Sequence, residues 1–262
     1  MTKKTERLPV LAVLLALSSA GYILRRRQLN IGFDAAGIPT GRGTVLTVLV
    51  CVLAVLLAAF VALGVKKRPA FAENFSADPV PTALLVLAAG FLAGGCAIEL
   101  MDPASAGLAG RLAAALGVAS GLCFVVMGAV WRQGKKPVAA AWLIPVVYYI
   151  LQTILSFKSW STDPVILDYC FKLFALLCAM LGVFHASGFV FDVGGRRSCL
   201  FFCMTGVFFA CVTLADGGTN HMMRTAGGAL FLLATGWQLL GDAAEINCGE
   251  EIFEEGIEEE TK

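Results

Sequence analysis

Residues 164–193, PVILDYCFKLFALLCAMLGVFHASGFVFDV, decide the fold class. Pro164 follows Asp163, and proline is tolerated in a first helical turn, where its missing N–H has no intrahelical partner to lose. The stretch stops at Gly194-Gly195-Arg196-Arg197, a breaker followed by charge. Between Lys172 and Asp192 stand 19 residues without a fixed charge. At about 1.5 Å per residue they cross a hydrocarbon core of about 30 Å. The pattern predicts a membrane-spanning helix with one distinct face. At about 100° per residue, Asp168, Lys172, Ala175, Ala179, Gly182 and Ala186 fall on a single stripe. Small side chains let another helix approach closely. The stripe leads up to Asp168 and Lys172, a carboxylate and an ammonium at i, i+4 spacing.

The whole chain has the same character. Hydrophobic residues make up 58% and charged residues 15% of the sequence, and the mean hydropathy is +0.79. A soluble domain is nearer half apolar and a quarter charged. Here the apolar residues come in long runs separated by short charged punctuation. The net charge of +1 offers no surface for nucleic acid, and no such partner is expected. Nine cysteines lie almost entirely inside apolar runs, with no CxxC spacing. They read as small hydrophobic packing residues, so no metal site and no cofactor is expected.

Eight apolar runs emerge, at 8–24, 43–65, 80–101, 108–131, 137–157, 164–193, 198–215 and 222–241. The fold class expected is all-α, a polytopic transmembrane bundle forming one domain over residues 1–241. The first run could be a signal core, because Lys3, Lys4 and Arg7 precede it and Ser18-Ser19-Ala20 resembles a cleavage site. Its 17 residues are long for that role, and a retained helix is the favoured reading. Basic residues set the orientation, since cytoplasmic loops hold the excess. With the N-terminus inside, the inner side carries eleven Lys and Arg before the tail and the outer side seven. Both termini are therefore expected in the cytoplasm of a cell, read as bacterial. Arg25, Arg26 and Arg27, directly after the first run, are the exception to this pattern.

The last segment, residues 242–262, holds eight glutamates between Glu245 and Glu260. Like charges at this density disfavour compact structure. The tail reads as solvated, or as a docking segment for a basic membrane or cytoplasmic protein partner. A weak internal similarity links Asp102 and Arg111 with Asp216 and Arg224, at Asp-to-Arg spacings of nine and eight residues. It suggests a 4+4 parallel repeat of helices.

No catalytic constellation stands out. HExxH, a GxSxG nucleophile turn, a Walker A loop and a Gly-rich dinucleotide loop are missing from the sequence. Ionisable residues in spans are costly and usually face protein or water. Under the expected topology Glu99, Asp102, Arg111, Gln152, Asp168, Lys172, Asp216 and Arg224 gather near the outer face. Glu99, Gln152, Asp168, Lys172 and His185 are the candidate substrate-binding residues. Long side chains at headgroup level reach water cheaply, so a plain interface role competes with binding. Gly90, Gly94, Gly117, Gly121, Ala175, Ala179, Gly182 and Ala186 are the candidate helix-packing residues. Glu99 falls on the face of Gly95, opposite Gly90 and Gly94. Two functions follow: a non-enzymatic membrane subunit or sensor assembled through small-residue faces, or a small permease with an outer polar site. Apart from His185 and scattered hydroxyls, few polar residues are evident to line a cavity reaching mid-membrane, which favours the first.

Overall fold

The computed structural model describes residues 4–31, 41–66, 68–101, 107–161 and 166–241. The described residues form eight long helices: α1 (Lys4–Ile31), α2 (Gly41–Gly64), α3 (Pro79–Met101), α4 (Leu108–Arg132), α5 (Ala139–Trp160), α6 (Ile166–Ser187), α7 (Arg196–Thr213) and α8 (Thr219–Leu239). No strand occurs among the described residues. Local chemistry explains several boundaries. Pro79 opens α3, and the Asp78 carboxylate caps it by accepting from the Val80 N–H at 3.1 Å. After α6 a 3-10 turn, Gly188–Phe191, leads to Asp192 at φ 56°, a left-handed conformation that aspartate tolerates better than most residues.

Among the described residues six helices are long and apolar enough to cross a membrane: Pro9–Ile31, Pro79–Met101, Leu108–Arg132, Ala139–Trp160, Cys170–Phe191 and Arg196–Asp216. The described apolar stretch of α2, Val48–Gly64, is shorter. The first run does not end at Leu24 as expected, because α1 continues through the three arginines to Ile31.

Packing explains why α8 is less apolar than its neighbours. It runs along α3, borders α6 and α7, and sends Phe231 to stack on Phe124 of α4 and meet Trp142 of α5. A helix surrounded by protein can carry His221, Arg224, Thr225, Thr235 and Gln238, because these side chains meet other helices before lipid. α7 is the other central helix, bordered by α1, α2, α6 and α8. In α7, 67% of the apolar window is buried, against 28–44% in the other five spans. Outward faces carry the exposed leucines, valines and phenylalanines that a lipid solvent accommodates, such as Leu56, Phe60 and Leu63 of α2.

The helix pairings among the described residues do not confirm a 4+4 repeat. α6 packs closely on α7 and α3 on α8, without contacts of like extent between α2 and α3 or between α7 and α4.

The small residues of α6 face α7 and α8. A Cβ on Gly182 would lie 2.6 Å from a Leu232 methyl, and Ala175, Ala179 and Ala186 are buried. Gly117 lies against Cys96 and Tyr148, while Gly121 lies against Ala89 and Ala93 of α3. Gly94 meets Met223 and Gly95 meets Arg224. Gly90 departs from expectation: it is exposed, and a Cβ there would meet nothing within 4 Å. The packing face of α3 is thus one position round from the expected Gly90–Gly94 pair, because α8 approaches on the Gly95 side.

Candidate functional site: an outer polar cavity

At the end of the bundle that carries the α5–α6 and α7–α8 connections, called outer only after the orientation expected from the loop charges, α5, α6, α7 and α8 do not close on one another. Small residues face each other there: Ala175 and Ala179 of α6, Gly206 and Ala210 of α7, Gly228 and Ala229 of α8. Lower down, Gly182 is filled by Leu232 and the gap ends. The resulting cavity measures about 80 Å³. One buried water needs only roughly 10–15 Å³ on this measure, so the space admits several waters or a small organic molecule.

Its walls are polar at the outer end. Gln152, Ser156 and Trp160 come from the last turns of α5, Lys172 from the second turn of α6, and His221, Arg224 and Thr225 from the first turns of α8. Tyr148 and Tyr149 complete the lining. These polar residues are spread over three helices and converge only when the bundle forms; deeper in, the lining is Ala175, Ala179, Gly206, Ala210 and Leu232.

Each cation is held from behind by a carboxylate. Arg224 pairs with Glu99 of α3, both side chains about one-fifth exposed. The Lys172 ammonium lies 3.6 Å from Asp216, whose side chain is 2% exposed. Asp216 also receives the Arg25 guanidinium at 2.8 Å, and Arg25 is fully buried. Arg25 donates further to Gln28 at 3.2 Å and stands over the Phe171 ring, 5.2 Å from its centroid. Neither Glu99, Asp216 nor Arg25 lines the cavity, so the charge presented to its interior comes from Lys172 and Arg224. Among these described side chains three cations face two carboxylates.

The lining contains an orphaned group. Tyr149 is 4% exposed, and its hydroxyl has no hydrogen-bond partner among the described residues. It is pinned against Gly228, where a Cβ would come within 2.6 Å of that oxygen. Buried hydroxyls are nearly always satisfied, and an unsatisfied one costs about 1–3 kcal/mol. Nearby, Gln152 donates to Ser156 at 3.4 Å, and His221 Nδ1 lies 3.4 Å from the Thr225 hydroxyl.

The structure brings together Glu99, Gln152 and Lys172 from the expected set, through the cavity and the Arg224 pair. Asp168 opens α6, but its side chain lies outside the described residues, as does Asp102. Lys172 pairs with Asp216 of the α7–α8 connection. Arg111 is exposed. His185 does not line the cavity: it stacks on Phe202 toward the inner side, ring centroids 5.4 Å apart. Sequence reasoning missed Arg25, Tyr148, Tyr149 and His221. Arg25 did leave a signal, as the start of the basic run that broke the orientation pattern.

The inner end is built differently. Residues 68–78, between the expected runs 43–65 and 80–101, form a strap across the bundle. Phe71 stacks on Phe75 at 4.6 Å, and Phe75 meets Trp131 at 4.8 Å and Phe189 at 5.4 Å. The buried Asn74 amide donates to the Arg68 and Ala70 carbonyls at 2.9 and 2.7 Å. Gln238 accepts from the Ser76 N–H and hydroxyl at 3.2 and 3.1 Å, and donates back to its carbonyl at 2.8 Å. Asp192 accepts from the Phe71 N–H at 3.0 Å and pairs with Lys136. The Lys136 ammonium, and after it the Phe71 N–H, hold the Asp192 carboxyl below its ordinary range. Comparison with protein families, curated proteins and solved structures finds no match for the chain.

Proposed function

We propose that this is a non-enzymatic multi-pass membrane protein, a sensor or membrane subunit that binds a small organic anion in its outer cavity. On this reading all eight helices cross a cell membrane and both termini are cytoplasmic. The observation that carries it is the Tyr149 hydroxyl, buried and unsatisfied in a cavity whose cations, Lys172 and Arg224, are tethered from outside its walls. A carboxylate oxygen is an acceptor that suits a phenol O–H and an ammonium together. The small residues deeper in the cavity leave room for a short apolar body.

The test is thermal unfolding of the purified protein in detergent with monocarboxylates from acetate to hexanoate, each against its primary amide. Carboxylates should raise the melting temperature, amides should not, and Lys172→Gln should remove the difference. Equal effects of acid and amide would sink the reading.

A permease is the second reading, favoured by the contrast between an open outer end and a strapped inner one. Uptake of the stabilising carboxylate into proteoliposomes separates the two: accumulation supports a permease, and binding without uptake supports a sensor.

A further inference from the structure

Leu232 closes the deep end of the outer cavity, and two glycines place it there. Its side chain is buried and lines the cavity beside Gly206. A Cβ on Gly206 of α7 would lie 2.5 Å from one Leu232 methyl, and a Cβ on Gly182 of α6 would lie 2.6 Å from the other. Each methyl thus occupies the notch left by a missing side chain, and the branched end of Leu232 bridges α6 and α7. Cys178 and Cys203 stand beside the notches: the same Cβ on Gly206 would lie 3.2 Å from the Cys178 Cβ, and that on Gly182 3.8 Å from the Cys203 Sγ. Higher in the cavity the Tyr149 hydroxyl sits against Gly228, four residues before Leu232. That spacing is one helical turn, about 6 Å along α8.

We propose that Leu232 is the stop that sets the length of the bound ligand, which makes the ligand class a short, unbranched acid. At roughly 10–15 Å³ for each water-sized group, the cavity of about 80 Å³ takes about six of them. Butyrate has that number of non-hydrogen atoms. With its carboxylate at Tyr149, its apolar end has one helical turn to fill before it meets the Leu232 methyls. A longer chain must displace Leu232 from both notches, and close-packed protein yields little to such a push. Alanine at this position would empty both notches and give the ligand room for about three more carbons, toward Gly182 and Cys203. Methionine, unbranched and of similar volume, fills one notch and leaves the other. The inference rests on the anion reading for the ligand's polar end; the stop itself follows from shape.

The test is calorimetric titration of the purified full-length protein in detergent, against detergent alone, with acetate, butyrate, hexanoate and octanoate. Butanol and hexanol, straight-chain alcohols, serve as uncharged probes of the same space. In the native chain binding should tighten from acetate to butyrate, about fourfold for each methylene that finds room, and weaken from hexanoate onward. In Leu232→Ala the tightest acid should become hexanoate or octanoate, and hexanol should bind several-fold more tightly than it binds the native chain. Leu232→Met keeps the side-chain volume, so it should fold like the native chain and show the same shift toward hexanoate in smaller measure. One order of affinities shared by all three chains, or octanoate binding the native chain as tightly as butyrate, would overturn the proposal. If no acid binds any chain while hexanol still separates Leu232→Ala from the native chain, the stop stands and the anion reading falls.

Discussion

The two ends of this bundle are held by opposite means. At the outer end, charge does the holding: Arg25, Lys172 and Asp216 form one cluster, Glu99 and Arg224 another, and between them a cavity stays open. At the inner end, aromatic rings and backbone hydrogen bonds close the space, with Phe71, Phe75, Trp131 and Phe189 packed under a strap tied to Gln238. The difference follows from the side chains available at each level. Rings fill volume and need few partners, whereas charged groups must be paired in fixed positions and leave gaps around them. An end held by charge can accept a polar ligand. The ring-packed layer leaves no such room, and the space at that end lies outside it, between Arg68 and the start of α7.

The largest expected effect comes from breaking the outer cluster. Asp216→Asn leaves the buried Arg25 guanidinium beside a neutral amide, and removing one partner of a buried pair costs about 3–5 kcal/mol. Chemical denaturation in detergent should show that loss, and the paired change Arg25→Met with Asp216→Leu should recover most of it. If Asp216→Asn is silent, charge does not hold the outer end and the contrast between the ends fails.

A middle-sized effect is expected inside. Gln238→Leu strips the Ser76 N–H, hydroxyl and carbonyl of their partner in a buried setting, worth about 1–3 kcal/mol. The loss should appear as faster hydrogen exchange in residues 71–78, with the outer cavity's ligand response unchanged. Exchange spreading equally to the outer ends of α6 and α8 would mean that the two ends are not separately held.

The smallest effect concerns pH. Asp192 has a folded pKa below its unfolded value, so its contribution is fully present above about pH 4 and is lost as pH falls through the folded value. Lys136→Gln should lower stability slightly at neutral pH and flatten the acid-side fall. A neutral-pH melting temperature unchanged by the substitution, with the same acid slope as before, would show that the pair contributes nothing to the strap.

Much of this was legible in residues 164–193 alone. A 19-residue uncharged run fixes a spanning helix by length, and the small residues at Ala175, Ala179, Gly182 and Ala186 fix which face turns to other helices. Both are local properties, governed by rise per residue and helical period. The same logic misjudged Gly90, since a glycine's position on a helix does not say from which side a neighbour arrives. The connection between the runs 43–65 and 80–101 gave no periodic signal, so the burial of Phe71 and Phe75 was left to the tertiary structure.

The partners were decided by tertiary structure. Arg25 and Asp216 stand 191 positions apart, and nothing in the helical period joins them. Lys172 lies 3.6 Å from Asp216, 44 positions on in the sequence, on the connection that α7 and α8 carry to its level. The cavity is likewise a product of four helices stopping short of one another. Sequence determines what each helix can bury. Which charge meets which, and where space is left, depends on the heights and rotations at which packed helices settle, a collective outcome of every contact between them.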